Sequence, residues 1–141
     1  MRKAILTILL LSFIHRQDVK VATFTTGKPD TEAFESLAFW IKDGKRAYIR
    51  YLRGKATDDI ELRWLGPDSI AGRRGFKAAF PSPDNRTLFF TPIGDTLLVM
   101  MQNRERKFGW ENENAASGSD CGICAASARE ATGWLRQYFW N

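Results

Sequence analysis

Histidine is almost absent from this chain, which contains only His15. Catalytic triads, cysteine–histidine pairs and imidazole general bases all need a histidine beside a nucleophile or a substrate proton. His15 lies at the edge of an N-terminal apolar segment, so the rest of the chain has no imidazole to offer. The sequence therefore favours a protein that is not an enzyme.

Glycine-rich phosphate-binding motifs are also missing, since the chain has neither a G-x-G-x-x-G fingerprint nor a P-loop. Two cysteines without a second pair or a downstream histidine cannot supply the four ligands of a zinc site. The sequence predicts no nucleotide cofactor and no metal.

The chain lacks an apolar run of the about 20 residues that a transmembrane helix needs. Its longest is the 11-residue stretch Ala4–Ile14, which follows Arg2 and Lys3. A short basic start followed by such a stretch is typical of a signal peptide. We expect residues 1–16 to be a signal peptide, residues 17–141 to form one domain, and the protein to be exported to the periplasm or the medium. No small-x-small cleavage pattern follows, so a cytoplasmic protein with a buried first element is the alternative.

Positive charge is not concentrated in any long segment. The formal net charge is +5, but residues 1–16 contain three cations and no carboxylate, so the remainder has about +2. Because nucleic-acid binding needs a dense basic face, no nucleic-acid partner is predicted. One local cluster stands out: Arg73 and Arg74, between glycines on a predicted loop, with Lys77 nearby. It is a candidate contact for an acidic partner, a phosphate or a membrane surface; a solvated loop is the alternative.

Short alternating runs separated by turn residues fill most of the chain. Ile60, Leu62 and Trp64 alternate with charged residues, as in a strand with one buried face. The regular spacing predicts a mainly β fold, with seven to nine antiparallel strands in a meander barrel or a strongly bent sheet. Three strands, around Trp40, Phe89 and Leu98, are apolar on both faces. We expect the C-terminal segment or another subunit to cover their outer sides.

Residues 127–139 have a helical apolar period, and Ser127 with Glu130 forms an S-x-x-E capping box. This predicts one C-terminal helix packed on the sheet, with Trp134 on it. The order of elements resembles a lipocalin-type barrel, and the tryptophan-bearing helix is similar to that of a pleckstrin-homology fold. The resemblance covers element order and Trp134 alone, so it implies no functional residues.

The motif Cys121-Gly-Ile-Cys124 is compatible with three interpretations. A structural disulfide near the strand–helix junction fits an exported protein. On a strand, the two sulfurs would lie on opposite faces as unpaired small apolar groups. At a helix N-terminus the pair would be a redox site, but thioredoxin-type sites follow a βαβ unit that this sequence lacks.

Five aromatic residues are candidates for a ligand site at a barrel mouth: Trp40, Tyr48, Tyr51, Trp64 and Trp110. The alternative is that they fill the core of a small barrel. We expect a non-catalytic binding protein for a protein partner or a small apolar ligand. Thiol–disulfide exchange through Cys121 and Cys124, or binding to a phosphate or membrane surface, are the alternatives. The sequence does not specify an oligomeric state.

Overall fold

The computed structural model describes residues 18–112 and 123–141, and it is mainly β with one C-terminal helix. This confirms the predicted fold class. In chain order the elements are β1 (Val19–Thr26), β2 (Glu35–Lys42), β3 (Lys45–Arg53), β4 (Ile60–Ile70), β5 (Arg73–Ala79), β6 (Thr87–Ile93), β7 (Thr96–Met101), β8 (Arg104–Trp110), β9 (Ile123–Cys124) and α1 (Ala128–Tyr138).

The first eight strands form a closed ring of hydrogen-bonded neighbours. Each pairs antiparallel with the next, and β1 pairs with both β2 and β8. Contact with β8 is limited to the second half of β1, where Phe24 lies opposite Trp110. The short strand β9 runs parallel to the first half of β1, with Cys124 opposite Val21. β9 thus extends the pairing of β1 where β8 does not reach.

Three of the hairpins turn through two residues with positive φ: Asp43-Gly44, Ala71-Gly72 and Gln102-Asn103. Positive φ at both central residues is the requirement of a type I′ turn, whose twist matches that of the flanking strands. The tight turn at Ala71-Gly72 corrects the predicted loop. Arg73 and Arg74 lie on β5, because the strand resumes immediately after Gly72.

Phenylalanine rings pack together at the centre of the ring of strands. Phe39 contacts Phe76 and Phe90 edge to face, with centroid separations of 5.9 and 5.5 Å, and Phe76 stacks on Phe90 at 5.1 Å. The interior is therefore a packed aromatic core, as expected of a small closed sheet filled by side chains. Six phenylalanines are fully buried: Phe24, Phe39, Phe76, Phe90, Phe108 and Phe139.

Helix α1 begins where the capping box predicts. The Ser127 side chain accepts a hydrogen bond from the Glu130 backbone N–H at 3.1 Å. The Glu130 carboxylate accepts from the N–H of Ala126 at 3.2 Å, one residue earlier than a capping box would place it. Since both bonds satisfy N–H groups near the helix start, the cap fixes where the helix begins.

The helix closes one end of the ring. Phe139, just after α1, is buried against Phe39 and Phe76, each at a centroid separation of 5.5 Å. Trp64 on β4 donates to the Phe139 carbonyl at 3.1 Å, and Thr132 donates to the Gly94 carbonyl of the β6–β7 turn at 2.7 Å. The C-terminal segment is thus held by hydrogen bonds to β4 and to the β6–β7 turn. We call residues 128–141 the C-terminal plug. It does not cover the outer faces of β6 and β7 as expected, because its apolar side chains point into the ring.

Candidate functional site

Outward-facing side chains of β5, β6, β7 and β8 form a continuous surface that we call the β5–β8 face. Thr91 lies opposite Leu98, and Phe89 opposite Met100, while the alternate residues Phe90 and Val99 point inward. The middle of this surface is apolar and its margins are charged. Its members are Arg73, Lys77, Phe89, Thr91, Ile93, Thr96, Leu98, Met100, Glu105 and Lys107.

A glycine on β5 allows Phe89 to lie flat on this surface. A Cβ atom on Gly75 would stand 2.9 Å from the Phe89 ring and 2.1 Å from the Phe90 carbonyl oxygen. Only a residue without a side chain fits at this close approach. Gly75 therefore positions the Phe89 ring over the bare backbone of β5.

An ion pair crosses the β5–β8 face. Arg73 on β5 pairs with Glu105 on β8, and strands β6 and β7 lie between them. Arg73 and Glu105 line a void of about 10 Å³ together with Phe89, Thr91 and other side chains of the face. Phe89 and Thr91 are each only 5% exposed although they point away from the core. The side chains of Arg73 and Glu105 thus cover a strip of outward-facing, mostly apolar side chains that includes Phe89, Thr91 and Leu98.

Beside the ion pair lies an open groove of about 450 Å³. Its apolar floor includes Leu98 and Ile93, and Ile93 is 47% exposed. Lys107 stands at its margin and is exposed. Apolar surface rimmed by charge is typical of sites that contact other proteins. The groove is lined by Arg73, Ile93, Thr96, Leu98, Glu105 and Lys107.

The structure separates the three basic residues that the sequence grouped together. Lys77 pairs with Asp68 at 2.8 Å, and this contact lowers the pKa of the Asp68 carboxyl below its ordinary value. Arg74 lies on the opposite face of β5 from Arg73, with its guanidinium 4.8 Å from the centroid of the Trp140 ring. Arg73 and Lys77 therefore belong to the β5–β8 face, whereas Arg74 contacts the C-terminal plug.

The five aromatic candidates do not surround one cavity. Trp40 and Tyr48 are register partners on the outer side of β2 and β3. Trp64 and Trp110 are partly buried against the core, and Tyr51 is fully inside. Three of the five thus pack in or against the core, and two lie on the outer side of the sheet. Their role as ligand contacts stays a prediction.

One ionic cluster lies inside the ring, at the end opposite α1. The Tyr51 hydroxyl donates to one oxygen of Glu35 at 2.7 Å, and the Arg106 guanidinium pairs with the other oxygen. Burial, followed by the hydrogen bond to Glu35, raises the pKa of Tyr51 to about 12. With both carboxylate oxygens bonded, this cluster resembles a satisfied structural network more than a reactive site.

Sequence reasoning missed Glu35 and Arg106. Glu35 is in phase with Leu37, Phe39 and Ile41, which mark the inward face of β2, so the alternation already placed a carboxylate in the core. Arg106 lies 71 residues further along the chain, and no local pattern connects the two. The β5–β8 face was partly visible as strands apolar on both sides.

Two predictions concern residues outside the described ranges. Cys124 lies on β9, but Cys121 is not among residues 18–112 and 123–141, so the disulfide and the redox site stay predictions. Residues 1–16 are also outside them, and the signal peptide and export stay predictions as well.

Within the two described ranges, no helix is long and apolar enough to cross a membrane. In this same part of the chain, no three His, Cys, Asp or Glu side chains are grouped so that they could hold a metal ion.

No family model, no curated protein and no solved structure matches the chain. The similarity to lipocalin-type and pleckstrin-homology folds therefore rests on element order and Trp134 alone.

Proposed function

We propose that this protein is a non-catalytic interaction module that binds a segment of a partner protein on the β5–β8 face. The observation that carries the proposal is an apolar outer surface on strands whose inner surfaces already form the core. Phe89, Leu98 and Met100 point away from that core, and the helix lies at the end of the ring. The largest apolar patch on the surface of a soluble protein is often functional.

A small apolar ligand inside the ring has less support. Six buried phenylalanines occupy the centre, and Phe139 of the C-terminal plug stacks on Phe76 at 5.5 Å. A lipocalin-like site would need that space for the ligand. Open space for a binding partner lies instead on the outer surface, in the groove of about 450 Å³.

The size of the face favours a short, reversible contact. Strands β5, β6 and β8 have seven residues each. At about 3.3 Å per residue and about 4.8 Å between strands, the face measures roughly 23 by 14 Å, or on the order of 300 Å². Stable complexes bury about 800 Å² on each partner. A peptide segment or a transiently bound loop fits this area better than a permanent subunit.

The charge of the face supports a partner that carries an acidic group. Asp68 neutralises Lys77 and Glu105 neutralises Arg73, whereas Lys107 is exposed with the groove beside it. A partner segment with apolar side chains for the floor and a carboxylate for the rim would complement this arrangement. The internal ion pairs also reduce the support for a phosphate- or membrane-binding patch at Arg73 and Lys77.

Selection from a displayed library of random peptides on the purified protein tests the proposal. We expect the selected peptides to combine apolar residues with Asp or Glu. Leu98→Asp should weaken their binding at least about tenfold, because it places a charge in the centre of the apolar floor. Leu52→Asp, on the outer side of β3, is the matched control and should leave binding unchanged.

The proposal fails if selected peptides bind the Leu98→Asp variant as tightly as the wild-type protein. It also fails if selection gives no common pattern of residues. Circular dichroism and thermal melting of both variants verify that any loss of binding does not come from unfolding.

A further inference from the structure

We infer that the Arg73–Glu105 ion pair is an intramolecular cover of the β5–β8 face, and that the partner displaces Glu105 with a carboxylate of its own. This inference rests on the proposed function and names the chemistry by which the partner is recognised. Glu105 would then occupy, in the free protein, the position that a partner's acidic side chain takes in the complex.

The path of the ion pair supports this role. Strands β6 and β7 separate β5 from β8, so the two side chains must extend across the sheet to meet. In doing so they pass over Thr91 and Leu98, which lie opposite each other on the two middle strands. Both charged side chains line the same small void of about 10 Å³ as Thr91 and Leu98.

The cover can be displaced because both of its members are exposed to water. The side chains of Arg73 and Glu105 are 46% and 42% exposed. Ion pairs with that exposure contribute little stability, since water and salt screen the attraction. The buried Glu35–Arg106 pair has no such freedom, because its carboxylate lies inside the ring. An incoming carboxylate can therefore compete with Glu105 for Arg73, with Lys107 adding a second positive charge at the groove.

A second ion pair provides a matched control. Arg50 and Asp59 pair at 3.2 Å with side-chain exposures of 38% and 42%, close to those of Arg73 and Glu105. They stand over a smaller groove of about 260 Å³ on the outer side of β2 and β3. Its lining includes the small side chains of Ser36 and Ala38, and Leu52 is its one large apolar residue. Breaking this pair removes the same kind of interaction without uncovering a comparable apolar strip.

The first experiment measures the fluorescence of the neutral dye Nile red with Glu105→Gln and with Asp59→Asn. If the pair is a cover, Glu105→Gln should raise dye fluorescence roughly twofold or more, because more apolar surface is accessible. Asp59→Asn should match the wild-type protein. Equal fluorescence in all three proteins would overturn the role of the ion pair as a cover.

The second experiment measures the affinity of a selected acidic peptide, and of the same peptide with its carboxylate changed to an amide. Glu105→Gln should strengthen binding of the acidic peptide by up to about fivefold, near the limit for an exposed ion pair. It should strengthen binding of the amide peptide less, because both peptides gain from the uncovered apolar surface but only the acidic peptide has a charge to pair with Arg73. Asp59→Asn should affect neither peptide.

The two proposals can fail separately. If Leu98→Asp abolishes peptide binding but Glu105→Gln does not strengthen it, the face binds the peptide and the displacement of Glu105 is wrong. If Leu98→Asp has no effect, the binding face itself is wrong.

Discussion

Phe89 and Phe90 are adjacent on β6 and both are almost inaccessible to water, at 5% and 0% exposure, yet their surroundings differ. Phe90 points inward, where it stacks on Phe76 at 5.1 Å and meets Phe39 edge to face. Phe89 points outward, over the bare backbone of Gly75 and beside the Arg73–Glu105 pair. One ring is buried by the core, and the other by flexible side chains at the surface.

The difference shows that low exposure does not identify a core residue by itself. A ring surrounded by other rings on rigid strands can be uncovered only by unfolding the sheet. A ring that lies beside two charged, solvent-exposed side chains can be uncovered by a rotamer change. This second kind of burial leaves apolar surface available to a partner while shielding it in the free protein.

The largest expected effect separates the two rings directly. Phe90→Ala should lower the free energy of unfolding by about 3–5 kcal/mol, because it leaves a cavity among packed aromatic side chains. Phe89→Ala should lower the free energy of unfolding by less than about 2 kcal/mol, because neighbouring side chains and water can fill the space that it leaves. Urea unfolding monitored by circular dichroism measures both values. Equal losses would show that Phe89 belongs to the core.

A smaller effect concerns the polar part of the interior. The pKa of Tyr51 is raised from 10.0 to about 12 by burial and by its hydrogen bond to Glu35, so the folded protein favours the neutral phenol. The corresponding stability is fully present below pH 10 and is lost as the pH rises from 10 to 12. A shift of this size corresponds to at most about 3 kcal/mol.

Urea unfolding of the wild-type protein and of Tyr51→Phe across this pH range tests the effect. The wild-type protein should lose stability more steeply than the variant, because the variant has no phenol to ionise. Parallel curves would show that Tyr51 titrates alike in the folded and unfolded states, and that the inner cluster is open to water.

Most of the fold could be predicted because residues close together in sequence determine most of its strands and its helix. Alternation identified the strands, and the Ser127–Glu130 pattern placed the start of α1, where the structure has the Ser127 cap. The sequence left a closed barrel and an open, strongly bent sheet as alternatives, because closure depends on the pairing of Phe24 with Trp110, far apart in sequence. The position of Arg73 was wrong for a local reason: Ala71 adopts a positive φ of 53°, which is unusual for a residue other than glycine.

The candidate site was less predictable than the fold. The sequence showed that β6 and β7 are apolar on both sides, and it singled out Arg73 as a basic residue of interest. It did not show that Arg73 would pair with Glu105, because that contact spans two intervening strands and 32 residues. Long-range ion pairs depend on the register of the whole sheet, which local patterns do not determine.

The most direct test of the β5–β8 face is a titration of the isotope-labelled protein with a selected acidic peptide, followed by backbone amide chemical shifts. The account predicts that the largest shifts fall on β6, β7 and β8, at and next to Thr91, Leu98 and Lys107, with little change at Tyr48 or Arg50. Shifts concentrated on the outer side of β2 and β3, or at the ends of the ring, would contradict it.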